Sequence, residues 1–228
     1  MIYCEYCKKR ITGQYITDSW GLHFHQSCLA KCHICGSCNR NIFGPMLSEA
    51  ILLKDNRYIC HQCIREGLIL KESQMMKCVK AVYYFFNQAD IILPINNIRY
   101  KLVDANVLQN KVTGSVTKYS KNSNNSYEIS MLESLNKTIF CAVLAHELMH
   151  VHIYEKELIL NSLETEGLCE LVSYFTYKRI NNSIAKHQIN VMDLNPDPIY
   201  GQGYRLMKEK VKPFSSIQGY LKSHFINK

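Results

Sequence analysis

The chain has 228 residues, of which 47% are apolar and 20% are charged. This length and composition exclude a collagen-like, coiled-coil or largely disordered chain and predict a globular protein with one large domain or two small ones. No uncharged apolar run approaches the roughly 18 residues that span a bilayer, so we expect no membrane segment. The net charge of +8 is compatible with an acidic partner but selects none.

The cysteines divide the chain into two chemically different parts. Eight of the 11 cysteines lie within the first 63 residues. The N-terminal sequence MIYCEYCKKR has no basic segment followed by an apolar one, so we expect no secretory signal and a cytoplasmic protein. In a reducing compartment, dense cysteine pairs indicate zinc ligands before disulfides. We therefore predict a small two-zinc module at residues 1–68 and a second domain at residues 69–228.

The second domain shows the periodicity of helices and strands. The predicted elements, in chain order, are a helix at about Glu72–Phe86, a strand at Ile98–Val103, a polar loop at Lys118–Ser126, a strand at Tyr127–Leu132, a buried helix at Lys137–Tyr154, a helix from Asn161 or Ser162 to Arg179, a turn at Asp193–Pro198 and a helix at Tyr200–Val211. The predicted fold class is therefore α+β, with a small antiparallel sheet.

Four pairs of Cys or His residues in the first domain have two residues between their members. This spacing lets one tight turn present two ligands to one ion, and a tetrahedral zinc needs two such turns. A module of about 65 residues also buries too little apolar surface to fold comfortably without metal. In chain order, the pairs predict one zinc site at Cys4, Cys7, His25 and Cys28 and another at Cys35, Cys38, Cys60 and Cys63.

An alternative first site uses Cys32 as its fourth ligand. Either His25 or Cys28 is then the third ligand, and fewer residues separate this site from Cys35. We prefer the pair of His25 and Cys28 because it already has ordinary ligand spacing.

Residues 146–150, His-Glu-Leu-Met-His, form an HExxH motif within the predicted buried helix. Positions i and i+4 lie on one helix face, so His146 and His150 can reach one zinc ion while Glu147 serves as general base. The motif also arises by chance, so its meaning depends on a third ligand.

Glu166 is the candidate third ligand, because it precedes Gly167 at the start of a helix that can pack beside the first. This arrangement resembles that of the glutamate zincins. Glu170, one turn later, is placed to accept a hydrogen bond from a ligand imidazole. In the alternative reading, Glu166 is a solvated carboxylate favoured by the helix dipole and Glu170 has no role at the metal.

Further candidates concern the substrate. Tyr200 and Tyr204 are candidate donors to the oxyanion, with His224 as a weaker one, although either tyrosine is equally explained as a packing aromatic. Tyr127–Leu132 is a candidate edge strand for binding an extended peptide, or an ordinary strand of the sheet.

Two resemblances to known proteins support these predictions. The intervals within the two predicted zinc sites, 17 residues from Cys7 to His25 and 21 from Cys38 to Cys60, resemble those of a LIM domain. The chain resembles the plant LIM-domain peptidases that limit organ growth and are activated by ubiquitin, and more closely their short bacterial relatives. The resemblance lies in the order of four elements, namely this module, a spacer helix, His-Glu-Leu-Met-His and the Glu-Gly-Leu-Cys of Glu166–Cys169.

The resemblance implies a LIM-like module, of treble-clef or zinc-ribbon type, that binds proteins, followed by a gluzincin-like domain. It also implies that His146, His150 and Glu166 hold catalytic zinc. The plant members carry ubiquitin-interacting segments before the LIM domain, and Cys4 lies at the start of this sequence. Ubiquitin is therefore left open as an activator.

The sequence thus predicts a zinc metallopeptidase that hydrolyses peptide bonds of protein substrates, with two structural zinc ions and one catalytic zinc ion. Its first module would dock a protein partner or regulate the enzyme. The competing hypothesis is a non-catalytic zinc adaptor that binds protein or nucleic acid. The intact Glu147 favours the enzyme, and no dense stripe of Lys and Arg supports nucleic-acid binding.

Overall fold

The computed structural model describes residues 1–108, 113–121, 124–214 and 216–226. The chain forms two compact units. The first is Met1–Leu68 together with Ser134–Lys137, and the second is Ile69–Glu133 together with Thr138–Lys228. Nothing in the sequence pattern predicts that the short segment Ser134–Lys137 returns to the first unit.

The first unit contains short antiparallel strand pairs that lead into short helices. The strand His23–Phe24 ends beside His25, at the start of one short helix, and the strand Tyr58–Ile59 ends beside Cys60, at the start of another. Two of the short helices therefore begin at predicted metal ligands. The strands are β1 (Ile16–Thr17), β2 (His23–Phe24), β3 (His33–Ile34), β4 (Asn41–Ile42), β5 (Ile51–Leu52) and β6 (Tyr58–Ile59), and the helices are α1 (Gln26–Leu29), α2 (Pro45–Ser48) and α3 (His61–Glu66).

Hydrogen bonds from a fully buried asparagine, Asn136, hold the returning segment in the first unit. Its backbone N–H donates to Ser37 Oγ at 2.9 Å, and its side-chain amide donates to the carbonyl of Cys63 at 3.3 Å. The N–H of Lys137 donates to the carbonyl of Gly67 at 2.9 Å. These bonds replace the hydrogen bonds to water that a buried amide loses.

The second unit combines a three-stranded sheet with helices. The strands are β7 (Ile98–Val103), β8 (Gly114–Lys121) and β9 (Asn124–Leu132), and the helices are α4 (Glu72–Gln88), α5 (Lys137–Glu155), α6 (Ser162–Ile180), α7 (Ser183–Leu194), α8 (Tyr200–Val211) and α9 (Ile217–Leu221). The structure confirms the predicted helices α4, α5, α6 and α8 to within two residues at each end. Helices α7 and α9 are additional to the prediction.

The sheet of the second unit differs from the prediction in two ways. Its strand order is β7–β9–β8, with β7 and β9 parallel and β8 and β9 antiparallel, so the sheet is mixed. β9 contains Tyr127–Leu132 and is the central strand, so its prediction as an edge strand is wrong. β8 is an edge strand instead.

The prediction of a polar loop at Lys118–Ser126 is also wrong. Residues 118–121 belong to β8 and residues 124–126 to β9, while residues 122–123 lie outside the described residues. Antiparallel strands pair through backbone groups, so polar side chains that face solvent do not prevent pairing. The Asn- and Ser-rich composition therefore indicated a loop where the described residues form two paired strands, with residues 118–120 exposed.

Helix α5 is buried on nearly all its faces, which explains why its sequence is apolar all round. The hydroxyl of Ser173 on α6 donates to the carbonyl of Ala142 on α5 at 2.9 Å. Helix α8 crosses α6 where two glycines meet, since a Cβ added to Gly167 would lie 2.2 Å from the carbonyl oxygen of Gly203. None of the described helices combines the length and apolarity needed to cross a membrane.

Candidate metal centres

Two groups of side chains in the first unit can each hold a metal ion. Within each group the ligand atoms lie within 4.8 Å of one another. The groups are Cys4, Cys7, His25 and Cys28, and Cys35, Cys38, Cys60 and Cys63. The structure therefore brings together the two sets of ligands that the sequence spacing predicts.

The first Cys pair of each group lies on a turn of the same design. In each turn the residue after the second cysteine has a positive φ, which is 58° for Lys8 and 59° for Asn39. In these turns the N–H of Lys8 donates to the carbonyl of Cys4 at 2.8 Å, and the N–H of Asn39 donates to the carbonyl of Cys35 at 3.0 Å. This left-handed residue closes the turn and directs both thiols to the same side.

The spacing of the second group fits a tetrahedral zinc ion. Cys38 Sγ lies 3.6 Å from Cys60 Sγ, and Cys35 Sγ lies 3.9 Å from Cys63 Sγ. Two sulfurs that each lie about 2.3 Å from a tetrahedral zinc are about 3.8 Å apart, whereas a disulfide needs about 2.05 Å. Hydrogen bonds from Cys38, Cys60 and Cys63 lower the pKa of Cys35, which favours a thiolate ligand.

The first group has a comparable fit. His25 Nδ1 lies 3.5 Å from Cys7 Sγ and 3.8 Å from Cys28 Sγ, close to the roughly 3.6 Å expected for nitrogen and sulfur on one zinc. Burial acts to raise the pKa of Cys4, but backbone N–H groups outweigh it and lower the pKa to about 6. The Cys32 thiol instead donates to the carbonyl of Cys28 at 3.5 Å and is outside the group, which disfavours the alternative assignment.

A third centre lies in the second unit, where three ligand atoms form a triangle. His146 Nε2 lies 3.2 Å from Glu166 Oε2 and 3.2 Å from His150 Nε2, and His150 Nε2 lies 3.5 Å from Glu166 Oε2. Nitrogen and oxygen ligands about 2.1 Å from a tetrahedral zinc lie about 3.4 Å apart. The residues of this triangle therefore fit a zinc ion at its centre.

Helices α5 and α6 place these three side chains. His146 and His150 are one turn apart on α5, so their rings project from one face. Glu166 lies in the first turns of α6, whose start is capped because the N–H of Glu164 donates to Asn161 Oδ1 at 2.9 Å. The glycine after Glu166 allows α8 to pack directly on this part of α6.

Two carboxylates favour positive charge among the side chains of the triangle. Burial acts to lower the pKa of His146, but the carboxylates of Glu166 and Glu170 outweigh it and raise the pKa to about 10. Burial acts to raise the pKa of Glu166, but the two imidazoles lower it to about 2. Glu166 Oε2 and His150 Nδ1 are buried without a hydrogen-bond partner among the described residues. A metal ion would satisfy the first of these two atoms.

Glu170 and Glu147 flank the triangle. Glu170 Oε1 lies 3.3 Å from His146 Nδ1, where it orients the ring so that Nε2 faces the other ligands. Glu147 is only 7% exposed, and burial raises the pKa of its carboxyl against the opposing effect of His146 and His150. A buried carboxyl with a raised pKa is the property expected of a general base near neutral pH.

Cys169 competes with Glu166 for the role of third ligand. Its Sγ lies within 4.8 Å of the ligand nitrogens of His146 and His150, so these three side chains can also hold a metal ion. However, Cys169 is fully buried. Its burial raises the pKa of its thiol, and the negative charge of the Glu166 carboxylate raises it further. The distances of Glu166 to both imidazoles fit zinc, so Glu166 is the candidate third ligand that the geometry favours.

The predicted oxyanion donors lie in different places. The ring of Tyr200 lies 6.5 Å from the ring of His146 and is 43% exposed, so Tyr200 borders the centre. The buried hydroxyl of Tyr204 donates to Asp193 Oδ1 and accepts from Lys208 Nζ, each at 2.8 Å. Tyr204 therefore has partners away from the triangle.

His224, the weaker candidate, also has other contacts. Its ring packs against the rings of Tyr220 and Phe214, at 4.3 and 5.4 Å between centroids. Of the three predicted donors, the structure thus leaves Tyr200 as the one beside the metal ligands.

Tyr154 is a residue of this region that the sequence reasoning missed. Its ring stacks on that of His150 at 6.2 Å, and its side chain is partly exposed. It follows His150 by four residues and therefore lies on the same helix face, a signal that the sequence already contains. Tyr154 and Tyr200 thus border the two ligand imidazoles.

Comparison of the chain with protein-family models, curated proteins and solved structures found no match.

Proposed function

We propose that this protein is a zinc metallopeptidase with one catalytic zinc ion in the second unit and two structural zinc ions in the first. The observation that carries the proposal is the triangle of His146, His150 and Glu166, with the buried carboxyl of Glu147 in the same motif. Three protein ligands leave one coordination position of a tetrahedral ion open, as catalytic zinc sites require, whereas the four-ligand groups of the first unit are closed.

A zinc ion at this centre would supply a Lewis acid that activates water and polarises the substrate carbonyl. Glu147 takes a proton from the attacking water and passes it to the departing amine. Glu170 holds His146 in its ligand orientation. Burial raises the pKa of Tyr200, so its hydroxyl stays protonated and can donate to the carbonyl oxygen as negative charge develops there.

Among the described residues, β8 pairs with β9 along one edge only, and its other, open edge supports a peptide as the substrate. The N–H of Leu132 donates to the carbonyl of Thr113 at 3.0 Å, and the next pair along the ladder is Gly114 and Met131. Because hydrogen-bonded and non-hydrogen-bonded pairs alternate, the N–H and C=O of Gly114 point away from β9, toward the open edge. An extended peptide can pair with such an edge whatever its side chains are.

The first unit would then dock a protein partner or substrate. Its exposed apolar side chains include those of Ile34, Ile51 and Leu52 on β3 and β5. Exposed apolar side chains on a small metal-stabilised module suit protein binding better than nucleic-acid binding, which uses clustered positive charge.

The test combines zinc analysis of the purified protein with the variant Glu147→Gln, assayed on dye-labelled unfolded casein. We expect three zinc ions per chain in both proteins, unchanged thermal unfolding, and a loss of activity of about 100- to 10,000-fold in the variant. The exposed Glu209→Gln is the matched control. Two zinc ions per chain, or activity that is indifferent to Glu147→Gln, would instead support the non-catalytic adaptor.

A further inference from the structure

Gly114, the first residue of β8, lies directly against the side chain of Glu147. A Cβ added to Gly114 would lie 2.8 Å from Val143 Cγ1, 3.0 Å from Glu147 Oε1 and 3.2 Å from Glu147 Cγ. Non-bonded carbon atoms normally approach no closer than about 3.5 Å. Any side chain at position 114 must therefore displace its neighbours.

The neighbours of Gly114 differ in how easily they move. Val143 is β-branched and lies on the buried helix α5, where one χ1 rotamer is strongly preferred. Glu147 has three rotatable side-chain bonds, and its carboxyl is the far end of a flexible chain. The contact with Val143 Cγ1 is relieved only by a small shift of β8 away from α5, whereas the contact with Glu147 Oε1 is relieved by rotation of the carboxyl, which is the reacting group that a new Cβ would displace.

We propose that Gly114 is a positioning residue, which keeps the space that the carboxyl of Glu147 needs in order to face the metal centre. The reason for glycine here is this space, because the backbone of Gly114 is outside the left-handed region that favours glycine. The proposal rests on the proposed peptidase function, since it gives Glu147 the role of general base.

The variant Gly114→Ala tests this role. A shift of about 1 Å in a reacting group can cost about 100-fold in rate, so we expect kcat on labelled casein to fall by about 10- to 100-fold, with KM and three bound zinc ions unchanged. Gly219→Ala is the matched control, because a Cβ at that glycine meets only ordinary contacts of 3.5 and 3.7 Å. The control should retain the activity of the unchanged protein.

Rescue by a shorter base separates positioning from general damage. Glu147→Asp shortens the side chain and removes the contact with Oε1, so Gly114→Ala should cost less activity in the Glu147→Asp protein than in the unchanged protein. An additive loss in the double variant, or an activity loss in Gly114→Ala that parallels loss of zinc or of the unfolding midpoint, would overturn the proposal.

A readout that does not depend on activity keeps this inference separate from the peptidase proposal. In protein with ¹³C-labelled glutamate carboxyls, Gly114→Ala should shift the Glu147 resonance, assigned through Glu147→Gln, and leave that of Glu164 in place. If the unchanged protein cleaves nothing, the peptidase proposal fails while this shift still tests the placement of Glu147. An unshifted Glu147 resonance would refute the role of Gly114.

Discussion

Glu170 Oε1 lies 3.3 Å from Nδ1 of His146, while Nε2 of the same ring lies 3.2 Å from Glu166. One imidazole therefore lies between two carboxylates, and in the proposed centre Glu170 orients the ring while Glu166 would bind the same metal ion. A partner that orients a ligand imidazole also increases its basicity, and its loss typically weakens metal binding by about 10- to 100-fold.

We therefore expect Glu170→Gln to bind the third zinc about 10- to 100-fold more weakly than the unchanged protein. Competition with a chelator measures this affinity, and the two zinc ions of the first unit provide an internal reference. The exposed Glu209→Gln should change nothing. Equal chelator resistance in Glu170→Gln and the unchanged protein would show that Glu170 does not support the ligand.

Substitution of Glu166 and of Cys169 distinguishes the two candidate third ligands. Glu166→Ala should leave two zinc ions per chain and no activity, because two imidazoles alone hold zinc weakly. Cys169→Ser should retain three zinc ions and most of the activity, because Glu166 and not Cys169 is the third ligand of the proposed centre. Zinc content and casein cleavage measure both variants. The reverse pattern would make Cys169 the ligand.

The crossing of α6 and α8 predicts a stability effect at Gly203. A Cβ at this position would lie 2.4 Å from the carbonyl oxygen of Leu163, a backbone atom that cannot rotate away. Gly203→Ala should therefore force the helices apart and lower the free energy of unfolding by at least about 1–3 kcal/mol. Urea unfolding measures this loss, with Gly219→Ala as the control. Equal midpoints in the two variants would contradict the close crossing.

The ion pair of Glu164 and Lys210 predicts a pH dependence. Lys210 Nζ lies 2.6 Å from Glu164 Oε1 and lowers the pKa of that carboxyl below its ordinary value. A carboxyl with a lower pKa in the folded state stabilises the fold above its unfolded pKa, and this contribution is lost as the pH falls through the folded value. Because both groups are partly exposed, the pair contributes only about 0.5 kcal/mol.

The variant Glu164→Gln isolates this charge, because glutamine at the same position can still form the capping box with Asn161. The unchanged protein should unfold with a free energy about 0.5 kcal/mol above that of the variant at neutral pH. This difference should shrink as the pH falls below about 4 and as salt is added. A difference that is independent of pH would exclude the ion pair as its source.

Ligand spacing explains why the candidate metal centres could be predicted from the sequence. The spacing of Cys4 and Cys7 or of His146 and His150 is a local property that one turn or one helix face determines. The prediction of Glu166 as a ligand required one further assumption, namely that its helix packs beside α5. The competition from Cys169 could not be predicted, because both residues lie on the same face of α6 and distances decide between them.

Features that depend on contacts between residues distant in the sequence could not be predicted. The strand order β7–β9–β8 places Tyr127–Leu132 in the centre, and alternation within one strand does not reveal which neighbours pair with it. The place of Gly114 beside Glu147 is set by the packing of β8 on α5. Likewise, only the three-dimensional contacts show that Asn136 binds the loop of Ser37.

The most direct measurement is anomalous diffraction at the zinc edge from crystals of the purified protein. Three peaks per chain are expected, one of them about 2.0–2.2 Å from His146 Nε2, His150 Nε2 and Glu166 Oε2. Two peaks confined to the cysteine groups of the first unit, with none among these three atoms, would contradict the account of the catalytic centre.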